Sequence, residues 1–351
     1  MTFLRNAWYM AAWTEEVTRA FLPRTVLAEP IVFYRREDGT PAAVADTCPH
    51  RFVPLSKGKL KGDVIECGYH GLQFDAAGRC VWNPHGDQKI PPALRIRSYP
   101  VVDRDEIVWI WMGDPAAPDL ERLPRFEFFS RSDPGVRTVH NYLYSAFGAD
   151  ILIDNLLDLS RAEFLHDCTF SSGFAANNAM QVTEEGEGCV RVSRQLYDIP
   201  LPPPFAPIYD PGGNVDEYQE TRWLAPGAVE FRNDVVRIGG RRGEGVWSLF
   251  NHYATPESER TTHYFFSISR RHRLEPSFDE AYRTRQLQGV ELEDADMLEA
   301  QQRRMGDRDF WAMKPVLLQS DAAAMRVRRV MERLLKAEAA LAQTPEVERV
   351  G

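Results

Sequence analysis

The sequence predicts an α+β protein, with an all-β N-terminal region followed by a larger region that mixes strands and helices. Three observations carry this. Residues 1–113 hold short apolar runs separated by turn residues; an aperiodic stretch around Pro115, Pro118 and Pro124 follows; the remainder alternates strand-like and helix-like periodicity. At 351 residues the chain is long enough for one large core or two ordinary ones. The expected boundary falls in the Pro-rich stretch, giving domains 1–115 and 116–351.

Taken in order, Ile31–Tyr34, the Asp38-Gly39 turn and Ala42–Ala45 read as strand, turn and strand. Asp75–Gly78 turns between Leu72–Phe74 and Cys80–Trp82, and the β-branched and aromatic run Ile107–Trp111 ends at Gly113-Asp114-Pro115. Ile151, Leu152, Asn155, Leu156, Leu159 and Ala162 fall near one helical face, which predicts a helix over 149–166. Residues 178–270 read as strands interrupted by the loop Pro200–Pro211, with Tyr264, Phe265 and Phe266 as core. Pro276 precedes a long helical stretch to about Met305, and Asp321 is placed to cap a helix ending near Gln343.

Hydrophobic residues at 44% and charged residues at 26% exclude a disordered or fibrous chain. Lys and Arg total 42 against 51 Asp and Glu, a net charge of −9 with no long single-sign block, which argues against nucleic acid or an anionic membrane as partner. There is no apolar run long enough to span a bilayer and no basic region followed by an apolar one at the start, so neither a membrane segment nor a secretory signal is expected. Five Cys, an odd count, point to a reducing compartment and a cytoplasmic setting.

Chemistry concentrates between residues 48 and 71, in Cys48-Pro49-His50-Arg51 and Cys67-Gly68-Tyr69-His70-Gly71. Each half pairs a soft thiolate with an imidazole in a Gly- or Pro-containing turn. Two thiolates and two imidazoles can hold one tetrahedral zinc, or a two-iron cluster with both Cys on one iron and both His on the other. Zinc ribbons usually space their cysteines as C-x-x-C, and a one-residue Cys-to-His gap is unusual for them. Cys80, Cys168 and Cys189 have no His at comparable spacing and read as ordinary thiols.

The spacing C-x-H, sixteen residues, C-x-x-H resembles the Rieske [2Fe–2S] signature. Asn6-Ala7-Trp8-Tyr9, Pro54-Leu55-Ser56, Asn83-Pro84-His85-Gly86 and Trp109–Pro115 extend the resemblance to the N-terminal half of Rieske non-haem iron oxygenases, in the vanillate and dicamba O-demethylase branch. Asp154–Leu159, the segment Glu293–Glu299 and the C-terminal helix fit the same branch, so the likeness covers essentially the whole chain. It implies an all-β Rieske domain holding a [2Fe–2S] cluster on Cys48, His50, Cys67 and His70, followed by a helix-grip α+β catalytic domain. In the family that second domain holds a mononuclear Fe(II) on two His and one Asp.

Carried over residue by residue, Asn155, Asp158 and His166 match the iron helix, and Asp294 matches the carboxylate ligand, with Asp296 as a substitute. The first ligand position, however, holds Arg161. A guanidinium keeps its proton and has no lone pair for a metal. Arg161 either pairs with Asp294 or swings away while a third ligand, such as Glu163 or water, completes the site. The resemblance also implies that Asp158 links His70 of one subunit to His166 of the next in a trimer. Alternatively Asp158 is a helix-face partner of Arg161. Trp111, Glu230, Asn251 and His252 fall at or beside substrate-lining positions.

The resulting expectation is a cytoplasmic terminal oxygenase component acting with O2 on a small aromatic substrate, by hydroxylation or O-demethylation. A separate reductase or ferredoxin would supply electrons, and the assembly would be a homotrimer or a hetero-oligomer with an intact oxygenase subunit. The alternative is a Rieske electron-transfer subunit that lacks mononuclear iron because of Arg161.

Overall fold

The computed structural model describes residues 3–124, 134–166 and 180–343. They group into two compact units, one of residues 3–124 with 255–258, the other of 134–166, 180–254 and 259–343. Cys168 lies outside the described residues.

The N-terminal unit is built from three small antiparallel sheets. Strands β1 (Trp8–Trp13), β2 (Leu22–Val26), β3 (Glu29–Arg35) and β4 (Pro41–Ala45) are followed by the short β5 (Lys59–Lys61), β6 (Val64–Glu66), β7 (Gln73–Phe74) and β8 (Cys80–Trp82), then β9 (Ser98–Tyr99), β10 (Val101–Arg104) and β11 (Ile107–Trp111). The sheets run β1-β11-β10, β2-β3-β4-β9 and β5-β6-β7-β8. The aromatic and β-branched run Ile107–Trp111 is buried along its whole length, as the sequence suggests. The segment after Pro115 does not act as a free linker. Trp8 Nε1 donates to the Asp119 carbonyl at 2.7 Å and Arg104 Nη2 to that of Pro124 at 2.6 Å, so the unit extends past residue 115.

The second unit is one seven-stranded antiparallel sheet with helices packed on it. Its strands are β12 (Arg137–Ser145), β13 (Gln181–Glu184), β14 (Cys189–Ile199), β15 (Val215–Leu224), β16 (Ala228–Arg237), β17 (Val246–Pro256) and β18 (Thr262–Arg270), in the order β12-β18-β17-β16-β15-β14-β13. Tyr264, Phe265 and Phe266 are fully buried. The helix expected over 149–166 is broken into α1 (Ala149–Leu157) and α2 (Ala162–Leu165). Asp158 causes the break. Its Oδ1 accepts from Ser160 N at 2.9 Å and Ser160 Oγ at 2.6 Å, a local turn that competes with the helical ladder.

Pro276 opens a short 3₁₀ turn, after which the chain is helical to Met305 as α3 (Asp279–Leu287), a π-helical segment Gln288–Ala295, and α4 (Asp296–Met305). The final helix α5 (Ala322–Gln343) starts after a turn whose Asp321 carboxylate accepts from Leu318 N at 2.6 Å. Ile151, Leu152 and Leu156 of α1, Val290 and Ala295 of the π segment, Leu298 of α4 and Val327 and Val330 of α5 share one core with Val190, Trp223 and Phe266 of the sheet. A sheet curled against a long C-terminal helix is the helix-grip arrangement.

Candidate functional site

The Cys/His cluster sits on two loops of matching shape. Cys48 N donates to Val53 O at 2.9 Å and Phe52 N to Cys48 O at 2.8 Å; in the second loop Cys67 N donates to Leu72 O at 2.8 Å and Gly71 N to Cys67 O at 3.0 Å. Both loops turn back through a left-handed residue, Phe52 at φ 60° and Gly71 at φ 71°. Gly68, beside Cys67, is required by space, since a Cβ there would come within 2.9 Å of the Lys57 carbonyl oxygen.

The donors sort into a thiol pair and an imidazole pair. The Cys48 and Cys67 thiols are buried, unoxidised and within hydrogen-bonding reach of each other, and burial pushes the Cys48 thiol up. The His50 and His70 rings lie 4.6 Å apart, centroid to centroid. Desolvation, then the neighbouring His50, His85 and Arg51, lowers the pKa of His70, which favours the neutral imidazole that a metal requires. This donor set fits a cluster with two thiolates on one iron and two imidazoles on the other.

The second constellation gathers around Asp294, which the π segment presents to the broken helix. Its Oδ1 lies 2.9 Å from Asn155 Nδ2, 3.3 Å from Arg161 Nε and 3.4 Å from His166 Nε2. The other ring nitrogen of His166, Nδ1, is 2.6 Å from Glu293 Oε2. Burial would raise the Asp294 pKa; Arg161, then His166 and Asn155, outweigh it and hold the carboxyl well below the usual carboxylate range. Of the two arrangements open for Arg161, the ion pair with Asp294 is the one formed, with Arg161 Nη1 also donating to the Asp158 carbonyl at 3.1 Å. Among the described residues no three His, Cys, Asp or Glu side chains are set to hold one metal ion. As arranged, Arg161 is paired with Asp294 and has no lone pair to offer, which leaves His166 and Asp294 as two donors where a two-His, one-carboxylate iron takes three.

A cavity of about 150 Å³ has this constellation in its lining. Leu156, Val229, Phe231, Phe250 and Ile268 supply apolar wall, and Arg161, His166 and Asp294 polar lining. His252 lines it and shares a 2.7 Å hydrogen bond between Nδ1 and the Tyr264 hydroxyl. Burial, then the nearby Arg161, pushes His252 down to about 3, so it faces the cavity neutral.

Three of the four residues expected at or beside this pocket, Glu230, Asn251 and Trp111, are not in its lining. Glu230 and Asn251 pair directly across β16 and β17, and their neighbours Val229, Phe231, Phe250 and His252 line the cavity instead. Side chains alternate along a strand, so the expected positions are one residue out of phase. Glu230 instead lies 3.5 Å from Arg222. Trp111 belongs to the N-terminal unit, where it is buried and gives its indole N–H to Asp114 O. Asp158 Oδ2 makes no hydrogen bond among the described residues.

Several polar cavity residues carry no sequence motif: Arg194, Glu217, Gln219, Asn233 and Gln286. In β15 the buried positions include Glu217, Gln219, Thr221 and Trp223, while Tyr218, Glu220 and Arg222 lie on the other phase. Polar residues occupy both phases, so the alternation that would have flagged them is hidden.

Residues 7–100 match the Rieske [2Fe-2S] domain and residues 148–337 the vanillate O-demethylase oxygenase C-terminal domain. Dicamba O-demethylase, oxygenase component, of Stenotrophomonas maltophilia is 39% identical over 345 residues, covering 97% of this chain and all of that one. A crystal structure of dicamba monooxygenase bound to 3,6-dichlorosalicylic acid superposes with a TM-score of 0.89 at 37% identity, over 97% of this chain and 100% of that one. Another, with non-heme iron and dicamba, gives 0.83 at 36% identity, over 97% and 99%. The chain belongs to the Rieske oxygenase components of the vanillate O-demethylase family, with a Rieske [2Fe–2S] domain followed by the family's C-terminal catalytic domain.

Proposed function

We propose that this protein is the terminal component of a cytoplasmic Rieske-type system that hydroxylates or O-demethylates a small aromatic compound with O2. The observation that carries the reading is the apolar-walled cavity lined in part by His166 and Asp294, in a chain that also presents the paired Cys48/Cys67 and His50/His70 donors. Those four side chains would hold the cluster, which when bound supplies one-electron transfer. The walls suit an aromatic ring, and neutral His252 offers a polar contact without adding charge. Oxygen inserted at a methyl ether carbon gives a hemiacetal that collapses to a phenol and formaldehyde, so hydroxylation and O-demethylation share one step. An oxygenase component of this kind takes its electrons from a separate reductase or ferredoxin. A trimer in which Asp158 of one subunit accepts from His70 of a neighbour is consistent with the unused Asp158 Oδ2. The test is formaldehyde or hydroxylated product from methoxyarenes in the presence of a reductase, NADH and O2. No turnover across a broad aromatic panel overturns the reading.

The Arg161–Asp294 pair favours a second reading, in which the chain keeps the Rieske cluster but holds no mononuclear iron. Iron per chain after anaerobic reconstitution separates the two. About two irons with a Rieske spectrum supports the second, and about three supports the first.

A further inference from the structure

The cavity floor carries two acceptors that the chain itself does not use. Glu217, on β15, is 1% exposed. Its Oε1 accepts from Gln219 Nε2 and from Asn233 Nδ2, each at 2.9 Å, while Oε2 is buried with no partner. Asn233, on the adjacent β16, gives its amide N–H to Glu217 and leaves Oδ1 buried and unpaired. The Asn233 orientation follows from its neighbour, because the flipped amide would set oxygen against the Glu217 carboxylate. Both side chains line the cavity.

A buried cation, Arg194, only partly offsets the charge of this pair. Arg194 gives Nε to Gln219 Oε1 at 2.6 Å and Nη2 to the Leu159 carbonyl at 2.9 Å. Burial therefore raises the Glu217 pKa, with the two amide donors and Arg194 only partly opposing it. An unmatched buried carboxylate oxygen is costly, and a second unmatched acceptor beside it adds to the cost. Both deficits are met by one kind of ligand group, a hydroxyl or N–H that enters the cavity and donates.

We propose that Glu217 Oε2 and Asn233 Oδ1 form a donor-recognising subsite, so that the aromatic ligand this cavity selects carries a phenolic hydroxyl or N–H at the end facing β15 and β16. This deepens the aromatic-substrate reading and rests on it. A carboxylate in that position would meet the Glu217 charge and leave both acceptors unpaired. The opposite side of the cavity offers the complementary group. Gln286, whose Oε1 accepts from Asn141 Nδ2 at 2.9 Å, presents an unpaired buried Nε2 suited to an ether or carbonyl oxygen.

The probes are 2-methoxyphenol and 1,2-dimethoxybenzene, in which a methyl group replaces the proton the second oxygen could donate; the variants control for the added methyl. Both are titrated by calorimetry into the cluster-loaded protein, with no turnover needed. The phenol should bind the wild type at least about tenfold more tightly. In Glu217→Gln the two amide donors hold the new oxygen in place of Oε1 and turn the new NH2 toward the cavity, so the preference should vanish or invert. Asn233→Ala, which removes the second acceptor, should lower the ratio by a smaller factor and serves if Glu217→Gln does not fold. Equal wild-type affinities, or an unchanged ratio in a folded variant, overturn the subsite alone. A wild type that binds neither probe overturns the aromatic-ligand reading and the subsite with it.

Discussion

The two metal-related regions of this chain are held together in different ways. Around Cys48 and Cys67 each loop closes on itself through backbone hydrogen bonds that span no more than five residues, so ligand identity and ligand position are written in the same short segment. Around Asp294 the participants come from positions as far apart as Asn155 and Asp294, brought together by the core that α1, the π segment and the sheet share. The first arrangement keeps its full donor set. The second pairs Arg161 with Asp294 in a well-formed network, because a guanidinium can satisfy a buried carboxylate. A site assembled by long-range packing tolerates a change of chemistry that a local motif does not.

The largest expected effect lies at the first region. Cys67→Ser or His70→Ala should abolish the Rieske absorbance and release both cluster irons, measured by visible spectroscopy and iron analysis. Retained colour in either variant would remove the cluster assignment.

At the second region, Arg161→His should raise the iron retained at limiting Fe(II) above that of the wild type, toward about three per chain. It restores a neutral imidazole beside His166 and Asp294. Unaltered iron content would mean that more than one residue separates this pocket from a metal site, and the contrast between the two regions would deepen.

Asp158→Asn tests whether the regions communicate between subunits. The amide keeps an oxygen for the Ser160 turn, so fold, cluster content and the mass of the assembly should not change. Loss of the carboxylate should lower the pKa of the oxidised cluster's imidazole, which shifts the curve of reduction potential against pH. Superimposable curves for wild type and variant would assign Asp158 to helix termination alone.

The smallest effect concerns stability. His252 titrates at about 3 in the folded chain, held down by burial and then Arg161, against about 6.5 when unfolded. The unfolded chain therefore binds more protons below about pH 6.5, so this contribution is fully present above that pH and is lost as pH falls toward about 3. A loss on the order of 1–2 kcal/mol at pH 5 is expected, read as a lower Tm, with a flatter profile in His252→Asn. Parallel Tm profiles for the two proteins would assign the acid sensitivity to other groups.

Legibility in the sequence follows the same division. The hairpins β3–β4 and β7–β8 and the buried strand β11 follow from apolar runs and the Gly turns at Gly39 and Gly78, because a strand and its turn are local. The helical stretch after Pro276 and the helix after Asp321 are equally local. The break at Asp158 is not anticipated, although the Asp-x-Ser pattern that makes it lies in plain view, because the apolar periodicity runs on through Leu159 and Ala162. Glu230 and Asn251 were expected one residue out of phase with the pocket, since a strand with polar residues on both faces does not say which face turns inward.

By itself the sequence determined the paired Cys48-x-His50 and Cys67-x-x-His70 segments, the β-then-mixed order of the two units and the presence of Arg161 five residues before His166. Each is a matter of residue identity or of spacing within a few turns of chain. Only the tertiary structure decided where the Arg161 charge goes, which strand faces meet the cavity, and that Glu217 and Asn233 hold unpaired acceptors against it. Those facts depend on strand register across the neighbouring hairpins β15–β16 and β16–β17, and on a π-helical segment that sets Asp294 against Asn155, 139 residues away.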